Sequence, residues 1–206
     1  MKRLIALFLT LALLVFVCQT AFAMAAPKAT TSTGVEVVIK GHRFGDTKDA
    51  ILAAEGEPEG TGVMEGTGAD YVYYSTTVVG LNAYLVYYFT DDRVCEFRYI
   101  LTEEHSNNIL FIDDYEKIRD ALVGKYGEPL ALLSGEKWDT NDHKEYYSDN
   151  RGDALNYGYL TFADWFTAKD AEISMHMSAD NYEVSTTISY TSSVIKMPDE
   201  NYDGDI

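Results

Sequence analysis

Residues 82–101 read NAYLVYYFTDDRVCEFRYIL, two runs rich in aromatic and β-branched residues around a charged triplet. That is the grammar of a β-hairpin, and its register decides which side chains form a core. With Asp91, Asp92 and Arg93 as a three-residue loop, Thr90 faces Val94 and Phe89 faces Cys95. One face then gathers Leu85, Tyr87, Phe89, Cys95, Phe97, Tyr99 and Leu101, all apolar or aromatic. The other gathers Tyr84, Val86, Tyr88, Val94, Glu96 and Arg98. A two-residue loop would instead set Glu96 and Arg98 beside Leu85 and Phe89, and unpaired buried charge is costly. The three-residue loop is therefore expected, with the mixed face turned outward.

The same alternation extends to the strand before it, because hairpin neighbours must agree on which face is core. In DYVYYSTTVV (residues 70–79), with Val78 opposite Ala83, residues Val72, Tyr74, Thr76 and Val78 point inward. Tyr71, Tyr73, Ser75 and Thr77 join the outer face. Tyr71, Tyr73, Tyr84 and Tyr88 with Arg98 thus make a candidate binding surface, of the composition that interfaces enrich. The competing explanation is that tyrosine is a good strand former and a second layer covers this face.

Upstream, GHRFGDTKDAILAAEGEP (residues 41–58) reads as a turn, a helix and a stop. Thr47 or Asp46 can cap the first turn, Ile51, Leu52 and Ala54 supply an apolar side, and Gly56 and Pro58 end the helix, placed at 47–55. Downstream, IDDYEKIRDALVGKYGEP (residues 112–129) repeats this grammar, with Asp113 and Glu116 as a capping-box variant and Tyr115, Ile118, Leu122 and Tyr126 on one side of a helix at 113–126. Each Gly-Glu-Pro is followed by strand candidates. After the first come a Glu-Gly-Thr-Gly-rich loop and the strands above. After the second come an acidic connection containing Trp138 and then ALNYGYLTF, DWFTAKD, EISMHMS and YEVSTTISY. In the last two, Ile173, Met175, Met177, Tyr182, Val184, Ile188 and Tyr190 form the inner set. The expected fold class is α+β, two tandem repeats (35–108 and 109–195), each a helix followed by an antiparallel β-meander. Residues 35–40 are a further short strand candidate.

The termini bound compartment and charge. Lys2 and Arg3, an apolar run over 4–17 and small residues at Ala21, Ala23 and Ala25 have the layout of a secretory signal peptide, residues 1–25, with an uncleaved anchor as the alternative. Residues 26–34 read as a flexible leader and 196–206 as an acidic tail. Cleavage removes two of the 16 basic residues and none of the 33 acidic ones, taking the formal charge from −17 to −19. That repels nucleic acid and anionic membranes and leaves a basic or neutral partner, protein or small ligand. Loss of Cys18 leaves Cys95 alone, so no intramolecular disulfide is available.

Signals for catalysis are sparse. GTGVME from Gly60 puts Glu65 where a dinucleotide loop needs its third glycine. Cys95 falls among core residues. His42, His105, His143 and His176 are scattered, and Met175-His176-Met177 alternates as a strand does. Arg151-Gly152-Asp153 is the adhesion tripeptide, readily produced by chance. No catalytic residue, metal ligand or cofactor is assigned.

The stretch FGDTKDAILAAEGEP (residues 44–58) followed by the YYFTDDRV hairpin resembles the tandem helix-plus-meander units of the beta-lactamase inhibitory protein and small outer-membrane-assembly lipoprotein group. It also resembles a broad set of secreted bacterial proteins sharing a Gly-(Ser/Thr) helix start and a Gly-x-Pro stop. The resemblance spans residues 44–190 and implies a non-enzymatic binding or assembly module. The chain departs from the lipoproteins in lacking a suitable lipid-attachment site, and from the inhibitor in lacking two disulfide pairs. The expected function is an extracytoplasmic, secreted or periplasmic, binding or interaction protein using a sheet face. A small secreted hydrolase or a structural cell-envelope protein is the alternative.

Overall fold

A computed structural model describes residues 34–198; the expected signal peptide, most of the expected leader and most of the expected acidic tail lie outside the described residues. The protein is α+β. Strands β1 (Gly60–Val63), β2 (Asp70–Val78), β3 (Leu81–Thr90), β4 (Arg93–Leu101), β5 (Gly135–Trp138), β6 (Leu160–Thr167), β7 (Ala171–Asp180) and β8 (Glu183–Ser192) form one antiparallel sheet. Its order is β1-β2-β3-β4-β8-β7-β6-β5, so the two meanders join through β4 and β8 rather than forming separate sheets. Helices α1 (Lys48–Glu55), α2 (Ile109–Tyr126), α3 (Asn141–Tyr147) and α4 (Arg151–Asn156) complete the described elements.

The inner face is the core. Val72, Leu85, Tyr87, Phe97, Ile173, Met175 and Ile188 are fully buried beneath Ile51 of α1, Ile112, Tyr115, Ile118, Leu122 and Tyr126 of α2, and Ala154 and Leu155 of α4. The spacing of the α2 residues, three or four apart, is why that helix offers one continuous apolar side. A carboxylate is set into this layer: Asp164 of β6 accepts hydrogen bonds from the Tyr115 hydroxyl at 2.9 Å and pairs with Arg119 Nε at 3.2 Å. It pins α2 to the sheet.

Both helix stops work alike. Gly56 takes φ 87° and donates its N–H to Leu52 O at 3.0 Å; Gly127 takes φ 83° and donates to Val123 O at 2.9 Å. Only glycine enters that region freely. The N-termini differ. Thr47 Oγ1 accepts from Ala50 N and caps α1 as expected. Helix α2 begins at Ile109, so Asp113 sits inside it and forms no capping box.

The hairpin register matches expectation from Ala83 to Tyr88, with Tyr87 opposite Phe97 and Tyr88 opposite Glu96. Nearer the turn it differs. Asp91 and Asp92 alone form the loop, at φ 50° and 62°, the primed geometry whose twist suits a hairpin. Phe89 then faces Val94, and the extra residue, Cys95, is absorbed in a bulge. Val94 belongs to the core, and Cys95, fully buried, lies outside that cluster with its thiol donating to Tyr88 O at 3.4 Å. Val78 faces Leu81, not Ala83, across a Val79-Gly80 turn; the two-residue shift preserves the faces. Tyr182 lies in the turn before β8 and is exposed.

Three further expectations are corrected. Residues 35–40 make no named strand, because Val37 N–H donates to the Asp170 carboxylate and only Ile39 and His42 form a bridge. The Glu-Gly-Thr-Gly segment is not all loop: Gly60–Val63 is the edge strand β1. The acidic connection around Trp138 contains β5, α3 and α4, and Ala154–Asn156 is helical rather than extended.

The adhesion tripeptide falls in the first turn of α4 instead of on a displayed loop. Gly152 is buried there, and a Cβ added to it would lie 2.7 Å from Ile109 N and 3.2 Å from Ile109 Cα, at the start of α2. Backbone cannot step aside as a side chain can. Gly152→Ala is expected to lose about 1–3 kcal/mol in urea denaturation despite alanine's better helix propensity. An unchanged midpoint would mean that the two helices separate freely.

Candidate functional site

The outer face of the sheet is built by strand register. In one row Tyr71 of β2 lies opposite Tyr88 of β3, Tyr88 opposite Glu96 of β4, and Glu96 opposite Thr191 of β8. In the next, Tyr73, Val86, Arg98 and Ser189 follow one another. A third brings Ser75, Tyr84 and Ile100 together. The buried side chains of α1, α2 and α4 all pack in the inner cluster, and α3 has no buried residue. No described helix is packed on the outer face.

Four tyrosines occupy the β1–β3 flank. The Tyr71 and Tyr88 rings lie 5.8 Å apart, and Tyr73 and Tyr84 meet edge to face at 5.3 Å. Tyr71 and Tyr73 fold outward over Gly62 and Gly60 of β1, where a Cβ at either glycine would overlap the ring. The alternating glycines of GTGV are thus the seats of two tyrosine rings, a use that their turn-like composition concealed. Tyr71, Tyr73 and Tyr84 remain partly exposed. Burial, then the neighbouring Tyr84, raises the Tyr73 hydroxyl pKa, so it stays a neutral donor.

Tyr88 and Arg98 depart from the expected exposure: only 3% and 7% of their surfaces meet solvent. Neighbours on their own face hold both. The Arg98 guanidinium lies over the Tyr88 ring at 4.9 Å, its Nε donates to Glu96 at 2.7 Å and to Ser189 Oγ at 3.0 Å, and Nη2 pairs with Glu96 at 2.6 Å. Thr191 Oγ1 donates to the other Glu96 oxygen at 3.3 Å. Burial alone would lower the arginine pKa; the Glu96 charge outweighs it and holds the guanidinium protonated. Burial lifts the Tyr88 hydroxyl to about 12. These two residues are the floor of the face, and Tyr71, Tyr73 and Tyr84 are its accessible part. Beyond them, Trp165 of β6 meets His176 of β7 edge to face at 5.4 Å, and burial, then Arg98, lowers the histidine pKa.

A second aromatic group, which the sequence reading missed, surrounds α3 and α4. His143 stacks on Tyr159 at 3.8 Å, Tyr147 meets Tyr146, Tyr157 and Tyr159 at 4.8, 6.0 and 5.6 Å, and Tyr157 meets Tyr182 at 5.9 Å. Tyr146 and Tyr182 are largely exposed. The signal was the tyrosine density of EYY and NYGY within an otherwise polar connection.

His42, buried, lies between Asp46 at 3.5 Å and Glu55 at 3.4 Å. His105 pairs with Asp114 at 2.7 Å, and His143 with Asp139 at 2.9 Å. Among the described residues no three His, Cys, Asp or Glu side chains gather to hold a metal ion. Burial raises the Cys95 pKa, which disfavours the nucleophilic thiolate. No described helix is long and apolar enough to cross a membrane. Comparison with protein-family models, curated proteins and solved structures finds no match to this chain.

Proposed function

We propose that the chain is a non-enzymatic, extracytoplasmic binding or interaction module, exported behind residues 1–25, that offers the outer sheet face to a protein or small ligand. One observation carries the reading: Tyr71, Tyr73 and Tyr84 form an aromatic patch on a face over which no described helix packs. Patches of this kind mark interaction sites because tyrosine gives large contact area at little entropic cost. The strong acidity favours a basic or neutral partner. The same reading takes the chain as two tandem helix-plus-meander units. The shared helix stop at Gly56 and Gly127 supports it, as does a strand order that runs outward from the β4–β8 seam in both halves.

The test is capture. The protein, immobilised through its C-terminus, is offered the envelope fraction of its source, and retained species are titrated against Tyr73→Ala and Tyr84→Ala. Each variant is expected to keep its circular dichroism and to lose about tenfold or more in affinity, as aromatic anchors do. Retention of the same species at unchanged affinity by both variants would sink the assignment of this face.

A further inference from the structure

On the opposite, inner side of the sheet, a cavity of about 250 Å³ opens between the C-terminal half of α2 and the β4–β8 seam. Its apolar walls include Ile39, Val78, Ile118 and Leu122. Three tyrosines line it, Tyr99 of β4, Tyr126 of α2 and Tyr190 of β8, with ring centroids 6.3 Å apart from Tyr99 to Tyr190 and from Tyr126 to Tyr190. Tyr126 is 98% buried, and its hydroxyl has no hydrogen-bond partner. Among the described residues no hydrogen bond engages the Tyr99 or Tyr190 hydroxyl either. Buried phenols ordinarily find partners, and an orphaned one is costly. The orphaned one here is Tyr126, and the Tyr99 and Tyr190 rings line the same cavity.

Charge gives the acceptor its sign. Lys40 and Lys125 stand at the cavity's edge. Lys40 pairs with Glu55, whose carboxylate also meets His42 at 3.4 Å and Tyr87 at 3.3 Å. Lys125 lies 5.0 Å from the Tyr126 ring centre and makes no ion pair among the described residues. In a chain with 33 acidic and 16 basic residues, an ammonium without a carboxylate partner is a place where an anion is not repelled. Burial, then the neighbouring Tyr126, lifts the Tyr99 hydroxyl to about 12, and the same causes raise Tyr190 further. Both therefore remain neutral donors at neutral pH.

We propose that this cavity binds a small amphipathic monocarboxylate, its apolar body against Ile39, Val78, Ile118 and Leu122 and its carboxylate taken by the tyrosine hydroxyls and Lys125. The space suits a ligand smaller than the usual drug-sized molecule, on the order of ten heavy atoms. Octanoate has that size and serves as the probe. Calorimetric titration of the full chain is expected to give one saturable site in roughly the micromolar range, with 1-octanol and octylamine at least about tenfold weaker. Lys125→Gln and Tyr126→Phe should each weaken octanoate by about fivefold or more. Tyr126→Phe carries a second, opposite signature: it removes an unsatisfied buried hydroxyl, so the ligand-free variant should melt about 2–4 °C higher. Absence of saturable octanoate binding, equal binding of octanol, or unchanged affinity in both variants would overturn the proposal.

Discussion

Replacing Phe97 by alanine is expected to cost about 3–5 kcal/mol, against a total stability on the order of 5–15 kcal/mol for a domain of this kind. Phe97 is fully buried in β4 beside the central seam, with ring contacts to Tyr87 at 5.6 Å and Phe44 at 5.1 Å. Truncation leaves a cavity among rings that core neighbours hold in place. Tyr84→Ala removes a partly exposed ring from the other face and should cost about 1 kcal/mol or less. Tyr88→Ala falls between them, at about 2–3 kcal/mol, because that ring is buried and supports the Arg98 guanidinium. Urea denaturation of the three variants side by side measures the order. Equal losses at Phe97 and Tyr84 would mean that the outer face is packed as firmly as the inner, and the tyrosine patch would then be core.

The contrast between Phe97 and Tyr84 was legible in the sequence because strand alternation is strict and charge is expensive to bury. Keeping Glu96 and Arg98 away from Leu85 and Phe89 set the parity of the hairpin correctly. The loop itself was misjudged, since Asp91 and Asp92 adopt the left-handed geometry of a two-residue turn and the bulge at Cys95 restores the parity. Energetics chose the face while turn chemistry chose the loop. Alternation assigns a side chain to a face but says nothing of what lies beside it there. Tyr88 and Arg98 were therefore placed on the right face and given the wrong exposure. The glycines of β1 were hidden for a related reason: Gly-Thr-Gly reads as turn unless the Tyr71 and Tyr73 rings that cover it are known. Helices α3 and α4 are only seven and six residues long, too short for a periodic apolar pattern to emerge.

The Glu96–Arg98 pair supplies the second large effect, with its sign depending on how the pair is removed. Glu96→Ala is expected to cost about 3–5 kcal/mol, because it leaves a guanidinium 8% exposed without its carboxylate, held by Ser189 and the Tyr88 ring. Replacing both residues by methionine keeps volume and removes both desolvation costs, and should lose less than about 1 kcal/mol or even stabilise. Urea denaturation of Glu96→Met, Arg98→Met, the double methionine variant and the wild type forms the cycle that separates these terms. Raising the salt to about 1 M should leave the coupling between the two residues nearly unchanged, since a buried pair is poorly screened. A pair that contributes little net stability at the centre of an otherwise polar and aromatic face needs another reason to be there. The geometry offers one: Arg98 fixes the plane of Tyr88, and Tyr88 packs against Tyr71 at the accessible edge. The double variant should therefore fold normally yet bind more weakly than wild type to whatever the Tyr73 and Tyr84 variants fail to hold. If it binds as tightly as wild type, the pair does not organise the patch, and if Glu96→Ala proves harmless, Arg98 reaches water and the floor of this face is open.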